Sequence, residues 1–289
     1  KRVASLLNHE TPAFQESFRR FLREGLPFAA ARERALRAEL PPEACDLLRQ
    51  PNAVLGIEYL RALEREGPDV LPIPVLRHGS AHDAEGFSHS RFASAKAVRG
   101  ALTSGDSDAL SFVPDFVSRD IEGTLPLSME SFTDILLYLL RTQTPAQLKA
   151  LHGVGEGLEY ALLRGGEGSA LSEVRQAMKS KRYPLSRVNR ILCSLLCGFT
   201  SELALLAGEG PAYLRVLGLR RTAFPLLSEI SARSPLPLLT KKADMDALPP
   251  RAARLLQLDL RASDVAALAS VSSQARRARR DYTEKLILL

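Results

Sequence analysis

The sequence contains no tryptophan, few other aromatic residues and only three cysteines. Aromatic residues make up 6% of the 289 residues, whereas leucine, alanine and arginine are abundant, and this composition favours helices over sheet. Three scattered cysteines are too few for a disulfide scaffold, so we expect a reducing, cytoplasmic location. No signal-peptide pattern and no run of 18 apolar residues is present, and we therefore expect no membrane partner.

Metal-binding patterns are also missing. Cys193 and Cys197 are four residues apart on one helix face, with no histidine nearby, and we interpret them as small buried apolar side chains. The histidines at positions 78, 82 and 89 fit no standard zinc spacing. The sequence predicts no metal site built from protein side chains alone.

The net charge of +6 is unevenly distributed. Residues 1–110 carry 15 basic and 15 acidic residues, so the whole excess lies in residues 111–289. A neutral first part and a basic second part suggest that the second part binds a polyanion.

Periodicity predicts an α/β arrangement followed by a mostly helical region. Helices are expected over residues 12–24, 27–39, 55–66 and 95–102, and the apolar run Val70–Leu76 is interpreted as a short buried strand, although its two prolines favour an edge. A small α/β element is expected from apolar stretches at 213–217 and 236–240 around a helix at 222–232. Ser263-Asp264 is interpreted as the start of the last helix.

Three polar residues lie where a nucleotide site is expected. Asn52 immediately precedes one predicted helix, Arg77 lies where the predicted strand ends, and Ser94 begins the next helix. In open α/β folds ligands bind beyond the carboxyl ends of strands, and helix starts favour phosphate. Each residue also has a simpler interpretation: Asn52 and Ser94 as helix caps, and Arg77 as a solvated charge.

A second candidate site is a run of six basic residues without an acid. Such a cluster neutralises RNA phosphates, and Tyr183 within it is a candidate to stack on an unpaired base. The alternative is an ordinary solvated helix face. The basic residues of this run are Arg175, Lys179, Lys181, Arg182, Arg187 and Arg190.

Longer runs give these candidates a family context. The segments that carry the resemblance are PNAVLGIEYLRAL (51–63), PIPVLRHG (72–79), SAKAVRGAL (94–102), KSKRYPLSRVNRIL (179–192), GPAYLRVLGL (210–219) and LDLRASDV (258–265). In this order they resemble the bacterial tRNA(Met) cytidine acetate ligase family, a group of nucleotidyltransferases.

The resemblance implies a fold and an activity. It implies the back half of a doubly wound, Rossmann-like nucleotidyltransferase domain over residues 1–110, and a helical tRNA-binding domain over 111–289. It further implies that ATP activates acetate as acetyl-adenylate, with Mg²⁺, and that the wobble cytidine of elongator tRNA(Met) is acetylated at N4. ATP contacts are implied for Asn52, Arg77, His78 and Ser94, and tRNA contacts for Lys179, Lys181, Arg182, Arg187 and Arg190.

The sequence departs from the family pattern at several points. No H-x-G-H occurs in the 289 residues, which begin at Lys1 rather than methionine, so we expect further sequence upstream and no adenylation by this chain alone. Ala53 and Lys96 replace an asparagine and a threonine of the family motifs. Two alternatives therefore stay open, namely a non-catalytic tRNA-binding module and a nucleotidyltransferase that acts on a small coenzyme precursor.

Overall fold

The computed structural model describes residues 1–67, 69–76, 87, 92–121, 127–180, 183–270 and 272–289. The chain divides into two compact units, unit 1 of residues 1–126 and unit 2 of residues 127–289. This division falls later than the boundary expected after residue 110, because the 3₁₀ helix Ser107–Phe112 packs against the helix Ala95–Thr103. The functional roles assigned to the two regions stay predictions.

In the described residues of unit 1, all regular secondary structure is helical. Its core is formed by side chains from the first five helices, among which Phe14 and Leu36 are almost fully buried. The helices are α1 (Arg2–Asn8), α2 (Pro12–Arg23), α3 (Phe28–Leu36), α4 (Pro42–Asp46), α5 (Pro51–Glu66), α6 (Ala95–Thr103) and α7 (Asp115–Ile121), with 3₁₀ turns at Leu47–Arg49 and Ser107–Phe112.

The ends of α2 and α5 show why local sequence predicts these helices well. The Thr11 hydroxyl accepts a hydrogen bond from the Phe14 N–H at 3.0 Å and caps α2. Gly67 ends α5 in the left-handed region at φ 63°, a conformation that favours glycine. The predicted helices over 12–24, 27–39, 55–66 and 95–102 are all present, within a few residues at their ends.

The predicted strand Val70–Leu76 is wrong. These residues adopt no regular secondary structure, and the side chains of Ile73 and Val75 are 79% and 89% exposed. An apolar run becomes a buried strand only when a neighbouring strand pairs with its backbone, and no such strand occurs among the residues described in unit 1. Pro72 and Pro74, which lack an N–H, weaken any ladder further.

Unit 2 is mostly helical and has the larger core. Four helices, α8, α10, α11 and α12, enclose it. The helices are α8 (Thr133–Thr142), α9 (Pro145–Lys149), α10 (Leu158–Gly166), α11 (Leu171–Met178), α12 (Leu185–Cys197), α13 (Ser201–Gly208), α14 (Phe224–Arg233), α15 (Lys242–Asp246), α16 (Pro250–Ala267) and α17 (Arg280–Thr283), with 3₁₀ turns at Met129–Phe132 and Arg221–Ala223. Burial of each large core side chain contributes roughly 1.5–3 kcal/mol before the entropy of ordering is counted.

The small α/β element predicted within this region is present. Strands β1 (Leu214–Arg215) and β3 (Leu238–Leu239) pair in parallel across α14. Strands β2 (Gly218–Leu219) and β4 (Ile287–Leu288) also pair in parallel, so the last residues fold back onto the element. The arginine-rich stretch 276–279 forms turns before α17, whose first residue is Arg280.

The predicted helix start at Ser263-Asp264 is also wrong. Both residues lie inside α16, whose first residue is Pro250. Proline is well suited to the first turn of a helix, where its missing N–H has no partner to lose. The Asp264 carboxylate instead accepts a hydrogen bond from the Arg279 N–H at 2.6 Å, and thus fixes the turn before α17.

The two cysteines of α12 are less buried than predicted. Cys193 is exposed and Cys197 is half-buried, because the buried side of α12 is formed by Val188, Ile191 and Leu192. Cys193 Sγ lies 3.8 Å from Met129 Sδ, and partial burial raises the pKa of both thiols. The described residues contain no group of three or more histidine, cysteine, aspartate or glutamate side chains able to hold a metal ion.

Candidate functional site

The first candidate feature is the exposed start of α5. Asn52 is the second residue of this 16-residue helix and is exposed, so it is not the helix cap. The cap position is Gln50, whose side chain makes no capping hydrogen bond, and the first turn contains no acidic residue. The unpaired N–H groups of this turn and the helix dipole therefore leave a positive site beside the Asn52 amide.

The start of α6 differs from that of α5. Ser94 is 1% exposed, and its Oγ accepts a hydrogen bond from the Ala97 N–H at 2.9 Å. Ser94 is thus a helix cap, which confirms the simpler of its two interpretations. A contact between Ser94 and ATP stays a prediction. Lys96 is exposed in the first turn of α6, where acidic residues are absent, and it adds positive charge to this helix start.

Two of the predicted ATP contacts, Arg77 and His78, lie outside the described residues, as do His82 and His89. Their roles stay predictions that follow from the family motif. Of the predicted ATP contacts, the structure therefore describes Asn52 at the start of α5 and Ser94 at the start of α6.

The second candidate feature is the basic segment between α11 and α12. Lys179 follows the last residue of α11 and is exposed, and Arg190 is exposed on α12. Arg187 is half-buried one turn earlier on α12. Lys181 and Arg182 lie outside the described residues. In the described part of unit 2, none of Lys179, Arg187 and Arg190 forms an ion pair with a carboxylate.

Arg175, which the sequence placed in the same cluster, has a different role. Its guanidinium forms an ion pair with Glu130 and donates from Nε to Asn189 Oδ1 at 3.0 Å. Glu130 lies in the Met129–Phe132 turn, 45 residues away in sequence, and no local pattern links it to Arg175. Arg175 is therefore neutralised and connects α11 to α12, so it does not count among the free cations.

Tyr183 is also not the exposed stacking residue that the sequence suggested. Its side chain is 8% exposed, belongs to the core of unit 2, and donates from its hydroxyl to the Gly155 carbonyl at 3.3 Å. One face of the ring lies under the Arg187 guanidinium, 4.4 Å from the ring centroid. An RNA base has no access to this ring.

Tyr213 and Arg215 of the α/β element make contacts that stabilise the fold. The Tyr213 hydroxyl donates to Asp259, and burial together with this carboxylate raises the pKa of Tyr213. Arg215 pairs with Asp281 at 3.2 Å and also donates to its carbonyl at 3.0 Å. These contacts give Tyr213 and Arg215 a structural role within unit 2.

The Glu130–Arg175 ion pair stabilises the folded state by an amount that depends on pH. Hydrogen bonds from Ser128 and then from Arg175 lower the pKa of Glu130 from 4.5 to about 2. Because the folded pKa is depressed, this contribution is present above pH 4.5 and is lost as the pH falls toward 2. Glu130 is 61% exposed, so solvent screening limits the effect to roughly 1 kcal/mol.

We therefore expect Glu130→Gln to lower the free energy of unfolding by about 1 kcal/mol at pH 7 and by much less at pH 3. Urea unfolding of both proteins at the two pH values measures this difference. Glu167→Gln is the matched control, since Glu167 is exposed and has no ion pair among the described residues. An equal loss at both pH values would contradict the assigned pairing.

Comparison with known proteins gives the class and then the family. A family model described as HIGH Nucleotidyl Transferase matches residues 1–281, which defines the chain as a nucleotidyltransferase of that class. The tRNA(Met) cytidine acetate ligase of Thermoanaerobacter pseudethanolicus is 31% identical over 296 residues, which cover 100% of this chain and 72% of the relative. That of Syntrophomonas wolfei is 32% identical, over 97% of this chain and 71% of the relative. The chain belongs to the tRNA(Met) cytidine acetate ligase family, a family of enzymes, as the motif runs predicted.

Solved structures give the fold. The crystal structure of apo Thermotoga maritima TmcAL matches 100% of this chain and 73% of that chain with a TM-score of 0.87 at 24% identity. The same protein bound with alpha-thio ATP matches with a TM-score of 0.85. The chain thus has a nucleotidyltransferase-type α/β fold with mostly helical content. No helix in the described ranges is long and apolar enough to cross a membrane.

Proposed function

We propose that this chain acts in the ATP-dependent acetylation of N4 of the wobble cytidine of elongator tRNA(Met). The observation that carries the proposal is the match to curated ligases of this name along 100% of the chain at 31% identity. The unequal charge of the chain supports it, because the basic excess lies in residues 111–289 while residues 1–110 are neutral.

We assign ATP to the helix starts of unit 1. The start of α5 offers free backbone N–H groups and the exposed Asn52 amide, and the start of α6, fixed by Ser94, adds Lys96. Arg77 and His78 complete the set through the family motif. A helix start without acidic residues stabilises the negative charge of phosphates, and an arginine binds phosphate oxygens through paired N–H donors.

These residues suit the adenylation of acetate. An acetate oxygen attacks the α-phosphorus of ATP, the bond from that phosphorus to the bridging oxygen breaks, and pyrophosphate leaves. Side chains need only hold the phosphates and neutralise charge, for which arginine and helix starts are suited. Mg²⁺ would supply further neutralisation and, in such sites, is held largely by phosphate oxygens and water.

We assign the tRNA backbone to Lys179, Lys181, Arg182, Arg187 and Arg190. The cytidine N4 then attacks the acetyl carbon of acetyl-adenylate, AMP leaves, and N4 loses a proton. Unpaired cations on a rigid helix position the RNA through its phosphates, while recognition of the base requires other contacts.

The 289 residues alone are expected not to adenylate acetate, so the direct test is an acetylation assay with the full-length protein, ATP, Mg²⁺, radiolabelled acetate and a tRNA(Met) transcript. We expect one N4-acetylcytidine per tRNA at the wobble position, detected by mass spectrometry of the digested nucleosides. The matched control is the same transcript with uridine at the wobble position, because uridine has no exocyclic amine and should remain unlabelled.

Two other outcomes would overturn the proposal. Tight tRNA binding without any acetylation or pyrophosphate release would indicate a non-catalytic binding module. Release of pyrophosphate that requires a small precursor and is indifferent to tRNA would indicate a nucleotidyltransferase of coenzyme metabolism.

A further inference from the structure

Arg187 differs from Arg175 because its guanidinium stacks on an aromatic ring rather than pairing with a carboxylate. Its guanidinium carbon lies 4.4 Å from the centroid of the Tyr183 ring, and the side chain is half-buried. Arg175, on the neighbouring helix, is bound by Glu130 and Asn189. Stacking leaves the N–H donors of a guanidinium available, whereas an ion pair consumes them.

Hydrogen bonds fix Tyr183 through both its side chain and its backbone. Its hydroxyl donates to the Gly155 carbonyl at 3.3 Å, and Tyr183 and Ser180 exchange two backbone hydrogen bonds of 3.1 and 3.3 Å. The ring is therefore a fixed part of the core against which Arg187, four residues later in the first turn of α12, is ordered.

The turn that presents the Gly155 carbonyl is specified by unusual backbone conformations. Gly153, Glu156 and Gly157 have φ angles of 89°, 56° and 82°, in the left-handed region that favours glycine. A Cβ at Gly153 would also lie 3.2 Å from the Ile191 side chain of α12. The turn is thus fitted closely against α12, and the acceptor of the Tyr183 hydroxyl has a defined position relative to Arg187.

We propose that Tyr183 is a positioning residue that orders the Arg187 guanidinium for an RNA phosphate. This inference rests on the proposed function, since it takes the basic segment to be the tRNA surface. An unrestrained arginine loses much side-chain freedom when it binds phosphate, and an arginine already ordered by a ring loses less. Tyr183 therefore strengthens RNA binding without contacting RNA.

The test compares tRNA(Met) affinity for the wild type, Tyr183→Phe, Tyr183→Leu, Arg187→Ala and the Tyr183→Leu/Arg187→Ala double variant over a range of salt concentrations. We expect Tyr183→Leu to weaken binding about 5- to 10-fold and to lower the salt dependence as Arg187→Ala does. Tyr183→Phe keeps the ring and should retain nearly full affinity. The double variant should bind no more weakly than Arg187→Ala alone.

Two results would overturn the inference. Additive losses in the double variant would mean that Tyr183 does not act through Arg187. An equal loss in Tyr183→Phe and Tyr183→Leu would mean that the hydroxyl and its bond to Gly155 maintain the fold, which the melting temperatures of the variants would record.

A measurement without RNA separates this inference from the proposed function. The ring current of Tyr183 should shift the NMR signal of the Arg187 Nε proton upfield in the free protein, and the shift should persist in Tyr183→Phe and vanish in Tyr183→Leu. A missing shift in the wild type overturns the positioning itself. Suppose instead that the wild type shows the upfield shift but Arg187→Ala binds tRNA with full affinity. This result overturns the assignment of the tRNA backbone to the basic segment, while the positioning of Arg187 by Tyr183 stands.

Discussion

Replacing Arg77 with alanine is expected to weaken ATP binding about 10- to 100-fold while tRNA affinity stays within about twofold. A guanidinium that binds phosphate through charged hydrogen bonds contributes roughly 1.5–3 kcal/mol, which corresponds to this range. Isothermal titration with ATP measures the first quantity, and filter binding of tRNA(Met) measures the second. Arg65→Ala is the matched control, since Arg65 is exposed in the last turn of α5 and has no ion pair among the residues that the structure describes.

The complementary variant, Lys181→Ala/Arg182→Ala, should show the opposite pattern. We expect tRNA affinity to fall about 10- to 50-fold and the slope of its salt dependence to fall by about 1.5, because each released phosphate contact contributes about 0.7–0.9. ATP binding should be unchanged. Arg276→Ala/Arg277→Ala removes the same charge from an exposed pair elsewhere in unit 2 and serves as the control.

Measuring both ligands on both variants tests whether ATP and tRNA bind to different regions of the chain. If the Arg77 and Lys181/Arg182 variants lost both ligands equally, the assignment of ATP to residues 1–110 and of tRNA to residues 111–289 would be unsupported. If the control pair at 276 and 277 weakened tRNA binding as much as the Lys181/Arg182 pair, net charge rather than the basic segment would account for the affinity.

Helix positions were predictable from the sequence because their signals are local. A threonine cap and a following glycine delimit α2, and a glycine in the left-handed region ends α5. The small α/β element around α14 was equally predictable, since short apolar stretches on both sides of a helix are typical of such an element. The failure at Val70–Leu76 has the opposite cause, because a strand depends on a partner that no local pattern specifies.

The candidate site was predictable in residue types but not in roles. A motif run singled out Ser94, and the basic cluster singled out Tyr183 and Arg175, but tertiary contacts determine what each of these side chains does. Ser94 uses its hydroxyl to cap α6, Tyr183 is buried under Arg187, and Arg175 is neutralised by Glu130. Glu130 and the Gly155 carbonyl had no signal in the sequence, since their importance arises from partners 45 and 28 residues away.

The helices that support the basic segment depend on two adjacent glycines that no motif singled out. A Cβ at Gly166 would lie 2.7 Å from the Leu140 Cβ of α8, and a Cβ at Gly165 would lie 2.9 Å from the Val174 Cα of α11. Both distances are too short for a carbon–carbon contact, and the second involves backbone, which cannot move without displacing its helix. Gly165 and Gly166 therefore permit α10 to pack closely against both neighbours.

We expect Gly165→Ala and Gly166→Ala each to lower the free energy of unfolding by about 2–3 kcal/mol, measured by urea denaturation. This net loss includes the gain of up to about 1 kcal/mol that alanine brings to a helix. Gly208→Ala in α13 is the matched control, because no atom lies within 4 Å of its added Cβ, and this variant should be neutral or slightly more stable.

Because the overpacked helices must separate, the two destabilised variants should also bind tRNA more weakly, whereas Gly208→Ala should not. If Gly165→Ala and Gly166→Ala were as stable as Gly208→Ala, α10 would tolerate displacement. The close packing of α10 would then not fix the position of α11, which precedes the basic segment.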